Sequence, residues 1–489
     1  MPKQKKVLIA NRGEIAVRIA RAAKTLDINP VSIFASADSE SLHTKLTEQS
    51  IELEGPKNDP VSAYLDVEQI INIAKEQDCQ LIHPGYGFLS ENANFAKRCS
   101  DQGIEFVGPP AEILELFGDK VRARQMAESL SIPTIPGSKE ALSSAESAKK
   151  IAREIGYPIM LKASSGGGGR GMRAVHSEEE MTAAFERCSS EAKSSFGDES
   201  LFLEKLIEGP RHIEIQILAD QKGNTVHLFE RDCSVQERNQ KVIEIAPAPN
   251  LNETLLNKLY IDAKKLATEA GYTNAGTVEF LVVPESNEYY FIECNPRIQV
   301  EHTVTEAITG IDLVEAQFRI SLGETLEAIN IDAQQEMTRP SCFAIQARIV
   351  SKGNGTLQSY KEPSGPGVRV DSAAYPGLTP PPFFDPLLAK LICTSNSKGT
   401  YTSAIARTLA CLEEFYIDGI PTNLPLLKTL LLSDELNEGD ARTNLIGEEV
   451  ESVADSHASG SAALNLFEKN SPAKTSRGKS KLITTTSNQ

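Results

Sequence analysis

The stretch VLIANRGEIAVRIARAAKTLDINPVSIF, residues 7–34, decides the class of fold. An apolar strand at 7–10 leads into the turn Asn11-Arg12-Gly13, and helical apolar spacing then runs from Glu14 to Leu26. A second apolar strand follows at 31–34. A strand, a helix and a second strand in this order predict a unit of parallel sheet.

The same alternation continues further along the chain. It predicts helices near 67–77 and 92–102 and strands at 80–83 and 104–107. We therefore expect an open parallel sheet, in which ligands bind beyond the carboxyl ends of the strands. Two glycine-containing turns, 11–13 and 83–87, lie at the carboxyl ends of predicted strands.

Composition excludes several classes of function. The chain has 489 residues and a formal net charge of -17, which argues against a nucleic-acid surface. The eight cysteines include no Cys-x-x-Cys pair, so we do not expect a zinc or redox site. We expect the cysteines to be free intracellular thiols. The apolar run near the N-terminus is too short for a signal peptide, and no window approaches the roughly 18 apolar residues of a membrane span. We expect a cytoplasmic protein with no membrane or nucleic-acid partner.

Breaker clusters at 108–110 and 132–137 divide the rest of the chain. A small strand-and-helix unit follows, then a larger strand-rich unit that begins at Arg211. The tail is rich in Ser, Thr, Lys, Ala and Gly and reads as disordered linker, with a docked helix as the alternative. We expect a multidomain protein of mixed α/β and α+β class, with units at 1–110, 111–134, 135–206 and 207–446 and a tail at 447–489.

A glycine-rich loop lies in the run from Lys162 to Gly171, directly after a predicted strand. Consecutive glycines let backbone N–H groups turn toward an anion, and Lys162 and Arg170 add positive charge on either side. The spacing is neither a Rossmann fingerprint nor a P-loop. The loop therefore suits a lid over nucleotide phosphates, and a mobile surface loop is the alternative.

The stretch from Gly276 to Asn295 predicts a hairpin whose two apolar runs flank a Pro-Glu-Ser-Asn turn. In a register that is symmetric about Ser286, Glu279 and Glu293 face each other about 5 Å apart. Two opposed like charges are destabilising, and a divalent cation would remove the conflict. Asn295 lies on the same face as the two glutamates. These three side chains offer only oxygen ligands, which suits Mg²⁺ or Mn²⁺ beside ATP phosphates. The alternative is a register slip that turns one glutamate to solvent.

Beyond the hairpin, Arg297, Gln299 and Glu301 continue the same parity if the chain stays extended. The arginine could hold a small planar anion, and the glutamate could act as a general base. A solvated strand face is the alternative. His302 is expected to be a structural hydrogen-bonding residue.

These segments resemble the ATP-grasp biotin carboxylases of acetyl-CoA, propionyl-CoA and pyruvate carboxylases. The resemblance runs from residue 6 to about residue 446, and it implies an N-terminal pre-ATP-grasp sheet, an ATP-grasp lid and core, and a C-terminal β-rich subdomain. The matching segments are LIANRGEIAVRIARA (8–22), HPGYGFLSEN (83–92), GDKVRAR (118–124), IPTIPG (132–137), GYPIMLKASSGGGGRGMR (156–173), EKLIEGPRHIEIQILAD (204–220), ERDCSVQERNQKVIEIAPAP (230–249) and FIECNPRIQVEHTVTE (291–306).

The resemblance also implies a role for each matching residue. The ATP-binding set would be Lys120, Lys162, Gly168, Gly169, Glu204, Lys205, Ile207, His212, Asn239 and Glu279. The metal ligands would be Glu279, Glu293 and Asn295, and bicarbonate would lie against Lys241, Arg297 and the Val300 backbone. Glu301 would remove the bicarbonate proton, and Arg348 would stabilise the biotin enolate.

The implied reaction uses ATP, bicarbonate and Mg²⁺ or Mn²⁺. Bicarbonate attacks the γ-phosphate to give carboxyphosphate, which breaks down to CO₂ and phosphate. Phosphate or an equivalent base then deprotonates biotin N1, and the enolate captures CO₂.

The expected partners follow from the same resemblance. No Met-Lys biotin acceptor occurs, so biotin is expected on a biotin carboxyl carrier protein or domain, with a carboxyltransferase subunit and a homodimer as further partners. Asn239, Pro296 and Gln346-Ala347 depart from the residues common in the family. Alternatives are another ATP-grasp ligase of carbamoyl-phosphate type and a non-catalytic nucleotide-binding protein.

Overall fold

The computed structural model describes residues 4–138, 140–163, 171–333, 339–396 and 398–447. The predicted tail therefore lies outside the described residues, except for Gly447. None of the helices in the described part of the chain combines the length and the apolar character of a bilayer span.

The first unit is the expected open sheet. Its five strands are all parallel, in the order β3-β2-β1-β4-β5, and β1 is fully buried at Val7, Leu8 and Ile9. Strands buried on both faces need continuous apolar runs, which is why VLIA reads as one block. The elements are β1 (Lys6–Ile9), α1 (Gly13–Thr25), β2 (Asn29–Phe34), α2 (Leu42–Lys45), β3 (Gln49–Glu52), α3 (Pro60–Ala63), α4 (Val67–Glu76), β4 (Leu81–His83), α5 (Ala93–Asp101) and β5 (Glu105–Phe106).

Two helices lead into a small antiparallel sheet. The helices are α6 (Ala111–Gly118) and α7 (Lys120–Ser129). The sheet has three strands in the order β7-β6-β8, and two helices pack against it. Its elements are α8 (Ala145–Ile155), β6 (Ile159–Ala163), β7 (Met172–Val175), α9 (Glu178–Phe196) and β8 (Leu201–Lys205).

An eight-stranded sheet dominates the remainder, in the order β13-β12-β9-β10-β11-β14-β17-β16, with every pairing antiparallel. Strands β15 and β18 form a separate pair. The elements are β9 (Arg211–Ala219), β10 (Thr225–Glu237), β11 (Gln240–Ala246), α10 (Glu253–Glu269), β12 (Asn274–Val283), β13 (Glu288–Asn295), α11 (His302–Thr309), α12 (Leu313–Ser321), β14 (Ala344–Val350), β15 (Ser359–Lys361), β16 (Val368–Ser372), β17 (Leu387–Thr394), α13 (Tyr401–Glu414), β18 (Tyr416–Asp418), α14 (Leu424–Leu431) and α15 (Asp434–Asn437). The domain boundaries proposed from the sequence stay predictions.

The predicted hairpin is β12–β13, and Glu279 pairs directly with Glu293 as expected. The register shifts immediately after this pair, so Phe280 lies opposite Phe291. Symmetry about Ser286 is therefore wrong for the part of the hairpin nearest the turn. A bulge beside the two carboxylates accounts for the difference.

The extended strip expected after Asn295 is wrong. Strand β13 ends at Asn295, the Arg297 N–H turns back to the Asn295 carbonyl at 2.9 Å, and α11 begins at His302. Side chains after the strand therefore reach the site from a loop, so their period-two spacing does not explain why they lie near the hairpin.

Gly276, in β12, offers a test of the packing behind the hairpin. A Cβ at this position would lie 1.9 Å from the Tyr272 hydroxyl, which is buried and donates to the Ala275 carbonyl. We expect Gly276→Ala to lower the free energy of unfolding by about 1–3 kcal/mol, as overpacking does. Gly118→Ala, where a Cβ meets open space, is the matched control and should not destabilise. Urea denaturation measures both, and equal stability of the two variants would contradict the packing.

Candidate active site

Three oxygen-bearing side chains meet at the open end of the hairpin. The Asn295 amide donates to Glu279 Oε1 at 2.9 Å and to Glu293 Oε1 at 3.4 Å. Glu279 is buried, whereas the Glu293 side chain is 35% exposed. Of the two glutamates, Glu279 is thus fixed in the interior and Glu293 is accessible from solvent. The carboxylates of Glu279 and Glu293 offer the oxygen ligands that a hard divalent cation prefers, whereas the Asn295 amide turns its nitrogen toward them and its oxygen toward Arg297.

Neighbouring strands surround Glu279 with donors. His212 on β9 lies 2.7 Å from Oε2, while Lys241 on β11 and Gln299 contact Oε1 at 3.1 and 2.7 Å. Burial alone would raise the pKa of Glu279, but Lys241 and His212 outweigh it and hold that pKa well below its usual range. Burial would lower the pKa of His212, and Glu279 raises it above its ordinary value. Glu279 is therefore an ionised ligand candidate.

Lys241 is the centre of the buried charge. Its Nζ lies 2.6 Å from Glu214, 3.1 Å from Glu279 and 2.6 Å from Glu301. Burial opposes the charge of Lys241, yet the three carboxylates hold its pKa well above the usual range. His212, Glu214 and Glu279 also bring ligand atoms within 4.8 Å of one another. The Lys241 ammonium already bonds Glu214 and Glu279, so it takes the place that a metal ion would occupy in this group.

Glu301 lies between Lys241 and Arg348. Arg348, on β14, reaches Glu301 Oε2 at 3.1 Å and is itself held by Glu244 on β11 at 2.5 Å. Burial works against ionisation of Glu301, but Lys241 and Arg348 hold its pKa far below the usual value. In this arrangement Glu301 is an ionised carboxylate between two cations, Lys241 on β11 and Arg348 on the neighbouring strand β14.

Arg297 contacts a partner that the sequence did not suggest. Its guanidinium donates to Glu91 at 2.6 Å and to the Asn295 side-chain oxygen at 3.0 Å. Glu91 comes from the N-terminal unit, within the segment HPGYGFLSEN. Arg297 therefore joins the N-terminal unit to the hairpin, beside the candidate metal ligands.

Two of the lysines expected around the nucleotide lie beside glutamates. Lys120, the first residue of α7, is 3.8 Å from Glu293. Lys162 and Arg124 both bond Glu204, at 2.5 and 3.0 Å. Lys120 thus supplies a cation beside the hairpin, while Glu204 holds Lys162 of the small sheet and Arg124 of α7.

The other expected residues have mixed placements. The Lys205 ammonium donates to the carbonyls of Gly156 and Tyr157, at 3.1 and 2.9 Å, which ties β8 to the chain before β6. Ile207 is half-buried in the following loop. Asn239 is exposed in the β10–β11 turn with φ of +65°, a conformation that asparagine tolerates well. Gly168 and Gly169 lie outside the described residues.

Sequence reasoning missed the fully buried Arg231. Its guanidinium bonds Glu214 at 2.5 Å and Gln299 at 2.8 Å, and it also bonds Gln216, Thr277 and Thr305. Arg231 therefore fixes two residues that contact Lys241 or Glu279. The alternation His212, Glu214, Gln216 along one strand was an available signal, because period-two polar residues share a face.

His302 fits the structural role expected of it. It is fully buried, and its Nδ1 lies 2.6 Å from the Gln299 carbonyl. The ring thus holds the turn that precedes α11.

Family models and curated relatives match the chain over most of its length. The family model for the biotin carboxylase N-terminal domain matches residues 3–114, that for the carbamoyl-phosphate synthase L chain ATP-binding domain matches 119–329, and that for the biotin carboxylase C-terminal domain matches 347–448. Pyruvate carboxylase of Bacillus subtilis is 46% identical over 452 residues, which is 90% of this chain and 39% of the relative. The mitochondrial pyruvate carboxylase of Mus musculus is 44% identical over 91% of this chain and 38% of its own length. The chain thus spans about two fifths of these curated relatives.

Two solved biotin carboxylase structures are similar to this chain over nearly their whole length. The biotin carboxylase domain of Hydrogenobacter thermophilus 2-oxoglutarate carboxylase, a dimer in complex with MgADP, ADP and bicarbonate, has a TM-score of 0.86 at 42% identity. The similarity covers 92% of this chain and 98% of that domain. Biotin carboxylase from Campylobacter jejuni, in a β-γ-ATP complex, has a TM-score of 0.84 at 38% identity, covering 90% of this chain and 98% of its own.

Lys241→Met tests the buried charge cluster. The change leaves three buried carboxylates around an apolar side chain and should cost about 3–5 kcal/mol of unfolding free energy at neutral pH. The depressed pKa values of Glu279 and Glu301 stabilise the native state above their unfolded value of about 4.3, and this stabilisation is lost as the pH falls through the folded values. The penalty should therefore be smaller at about pH 5, where the variant's carboxylates take up protons.

Denaturant unfolding of both proteins at the two pH values measures this difference. Lys352→Met is the control, since Lys352 pairs with Glu237 at 2.7 Å with 40% of its side chain exposed and should contribute about 0–1 kcal/mol. A Lys241→Met penalty as small as the control's, or one that does not change with pH, would contradict the cluster.

Proposed function

The chain belongs to the biotin carboxylase family, and from this premise we propose that it uses ATP and bicarbonate to carboxylate biotin presented by a carrier protein or carrier domain. This is the first half-reaction of a biotin-dependent carboxylase. The observation that carries the proposal is the junction of two groups of residues. Glu279, Glu293 and Asn295 offer a cation site, and directly beside them Lys241, Glu301 and Arg348 offer charged groups suited to bicarbonate and to an enolate.

Phosphoryl transfer requires positive charge around the γ-phosphate and little covalent chemistry from the protein. Glu279, Glu293 and Asn295 would hold Mg²⁺ or Mn²⁺, which supplies part of that charge when bound. Lys120 and Lys162 would contact the phosphates. Glu204 holds Lys162 in place now and would be available to the adenine with the backbone from Lys205 to Ile207.

Bicarbonate would enter between Lys241 and Arg297, with the Val300 backbone as the third contact. An anion bound there draws positive charge away from Glu301, so the pKa of Glu301 rises from its depressed value toward that of a useful base. Glu301 would then accept the bicarbonate proton while the bicarbonate oxygen attacks the γ-phosphorus. The bond to the β–γ bridging oxygen breaks, and ADP and carboxyphosphate result.

Arg348 would act in the second stage. Carboxyphosphate breaks down to CO₂ and phosphate, and the phosphate removes the proton from biotin N1. Negative charge develops on the ureido oxygen, where a guanidinium fixed in advance stabilises it without reorganisation. Glu244 holds Arg348 for this purpose at 2.5 Å, and N1 then bonds to the carbon of CO₂.

The alternatives have less support. The model for the carbamoyl-phosphate synthase ATP-binding domain matches only the central residues 119–329, whereas the flanking matches are to biotin carboxylase domains. A non-catalytic nucleotide-binding protein would not need Glu301 between two cations. We further propose a homodimer, as in the Hydrogenobacter thermophilus domain, and a biotin carrier and a carboxyltransferase as partners. The cytoplasmic location expected from the sequence stays a prediction.

An assay of ATP hydrolysis tests the proposed function. With Mg²⁺ present, phosphate release should depend on both bicarbonate and free biotin, and Glu301→Gln and Arg348→Ala should each lower the rate by about 100-fold or more while MgATP binding persists. Phosphate release at the same rate without biotin would rule out the proposal.

Matched controls separate these roles from general loss of charge. Glu285→Gln removes a glutamate that is 67% exposed in the hairpin turn, and Arg319→Ala removes a partly exposed arginine that pairs with Glu324. Both should keep near-normal rates. Normal rates in Glu301→Gln and Arg348→Ala would remove the two role assignments.

The cation site has its own test. Glu279→Gln and Glu293→Gln should each weaken Mn²⁺ binding to the nucleotide complex by at least about tenfold. Even the loss of a residue that only hydrogen-bonds a metal ligand lowers metal affinity by about this factor. Electron paramagnetic resonance of Mn²⁺ measures the affinity directly. Glu288→Gln, an exposed glutamate of the same hairpin, is the control. Unchanged Mn²⁺ affinity in both site variants would place the cation elsewhere.

A further inference from the structure

Lys390, in the middle of β17, is a fully buried lysine that no step of the proposed reaction uses. Lysine is almost never buried unless its charge is paired, because desolvating an ammonium is costly. The question is therefore what the charge does at this point in the large sheet.

The contacts of the ammonium connect two parts of the molecule. Nζ lies 3.0 Å from Glu14 Oε1 on α1 and donates to the Val300 carbonyl at 3.1 Å. Tyr86, in the turn after β4, donates its hydroxyl to the same Glu14 oxygen. Asp371, opposite Lys390 on β16, is further away at 4.0 Å. Glu14, itself bonded by Tyr86, thus holds the ammonium from the N-terminal unit, and the ammonium holds one carbonyl of the loop before α11.

The sheet register gives this contact its significance. Lys390 on β17 is the direct cross-strand partner of Arg348 on β14, so the two side chains share one face. Arg348 reaches the Glu301 carboxylate at 3.1 Å, and Lys390 reaches the carbonyl of the preceding residue, Val300. Two neighbouring cations on one face therefore hold Glu301 twice, once through its side chain and once through its backbone.

We propose that Lys390 is a positioning residue for bicarbonate, acting through the peptide that joins Val300 to Glu301. The peptide unit is planar, so a fixed Val300 carbonyl also fixes the Glu301 N–H and Cα, while Arg348 holds the Glu301 side chain itself. The inference rests on the proposed function, because bicarbonate is the ligand that the Val300–Glu301 segment and Lys241 would hold. The competing explanation is that Lys390 only neutralises Glu14.

Bicarbonate affinity separates the two explanations. Calorimetry with MgADP present measures the affinity of the intact chain, and turnover with free biotin is measured in parallel. Lys390→Met keeps the length and the apolar stem of the side chain but loses the ammonium. We expect it to weaken bicarbonate binding, and to raise the bicarbonate KM, by at least about tenfold, with the MgADP affinity changed by less than about twofold. Lys390→Arg, which keeps the charge and the donors, should recover part of the loss.

Leu391→Ala is the matched structural control. Leu391 is the next residue on β17, is fully buried and faces the opposite, apolar side of the sheet. Its replacement should lower stability without changing bicarbonate affinity. An unchanged bicarbonate affinity in Lys390→Met, or an equal loss in Leu391→Ala, would overturn the inference.

A second variant and a second readout keep the test decisive. If Lys390→Met does not fold, Glu14→Gln weakens the hold on the ammonium, and the same selective loss of bicarbonate affinity is expected at smaller size. An unchanged affinity in Glu14→Gln would then overturn the inference. If the unsubstituted chain binds bicarbonate but shows no biotin-dependent turnover, the proposed function fails, while the binding comparison still decides the role of Lys390.

Discussion

The ammonium of Lys241 is the interaction on which the rest of the site depends. Glu214, Glu279 and Glu301 come from three separate places in the chain, and their buried carboxylates would repel one another strongly in a medium of low dielectric. Lys241 lies within hydrogen-bond distance of all three carboxylates and offsets that repulsion together with Arg231 on Glu214 and Arg348 on Glu301. The same arrangement leaves Glu279 ionised for a metal ion and Glu301 ionised beside Arg348.

The antiparallel sheet makes this convergence possible. Strands β12, β9, β10 and β11 bring the hairpin, His212, Glu214, Arg231 and Lys241 to one surface, and the pairing of β11 with β14 adds Arg348. Because paired residues lie about 5 Å apart, side chains on successive strands are spaced by about that distance across the sheet. The nucleotide side and the biotin side of the proposed reaction are thus built on one continuous sheet.

Two departures from the family pattern have a physical account in this structure. Gln346 donates its amide to Glu244 at 2.9 Å and accepts a hydrogen bond from Thr303. An amide at this position avoids placing a second carboxylate against Glu244, which leaves that residue free to hold Arg348. Asn239 occupies a turn position with positive φ, where asparagine is favoured for its backbone conformation. The structure offers no account of Pro296.

The sequence by itself determined the elements and the local pairing. The parallel N-terminal sheet and the opposition of Glu279 and Glu293 follow from apolar periodicity and turn position, which act over short stretches of chain. Only the tertiary structure decided which distant charges meet. The link from Arg297 to Glu91, the burial of Arg231 and the contact of Lys390 with Val300 depend on strand order and on packing between units. Local propensity carries no information on these contacts, because a charged residue on a strand reads the same whether it faces water or a buried partner from another part of the chain.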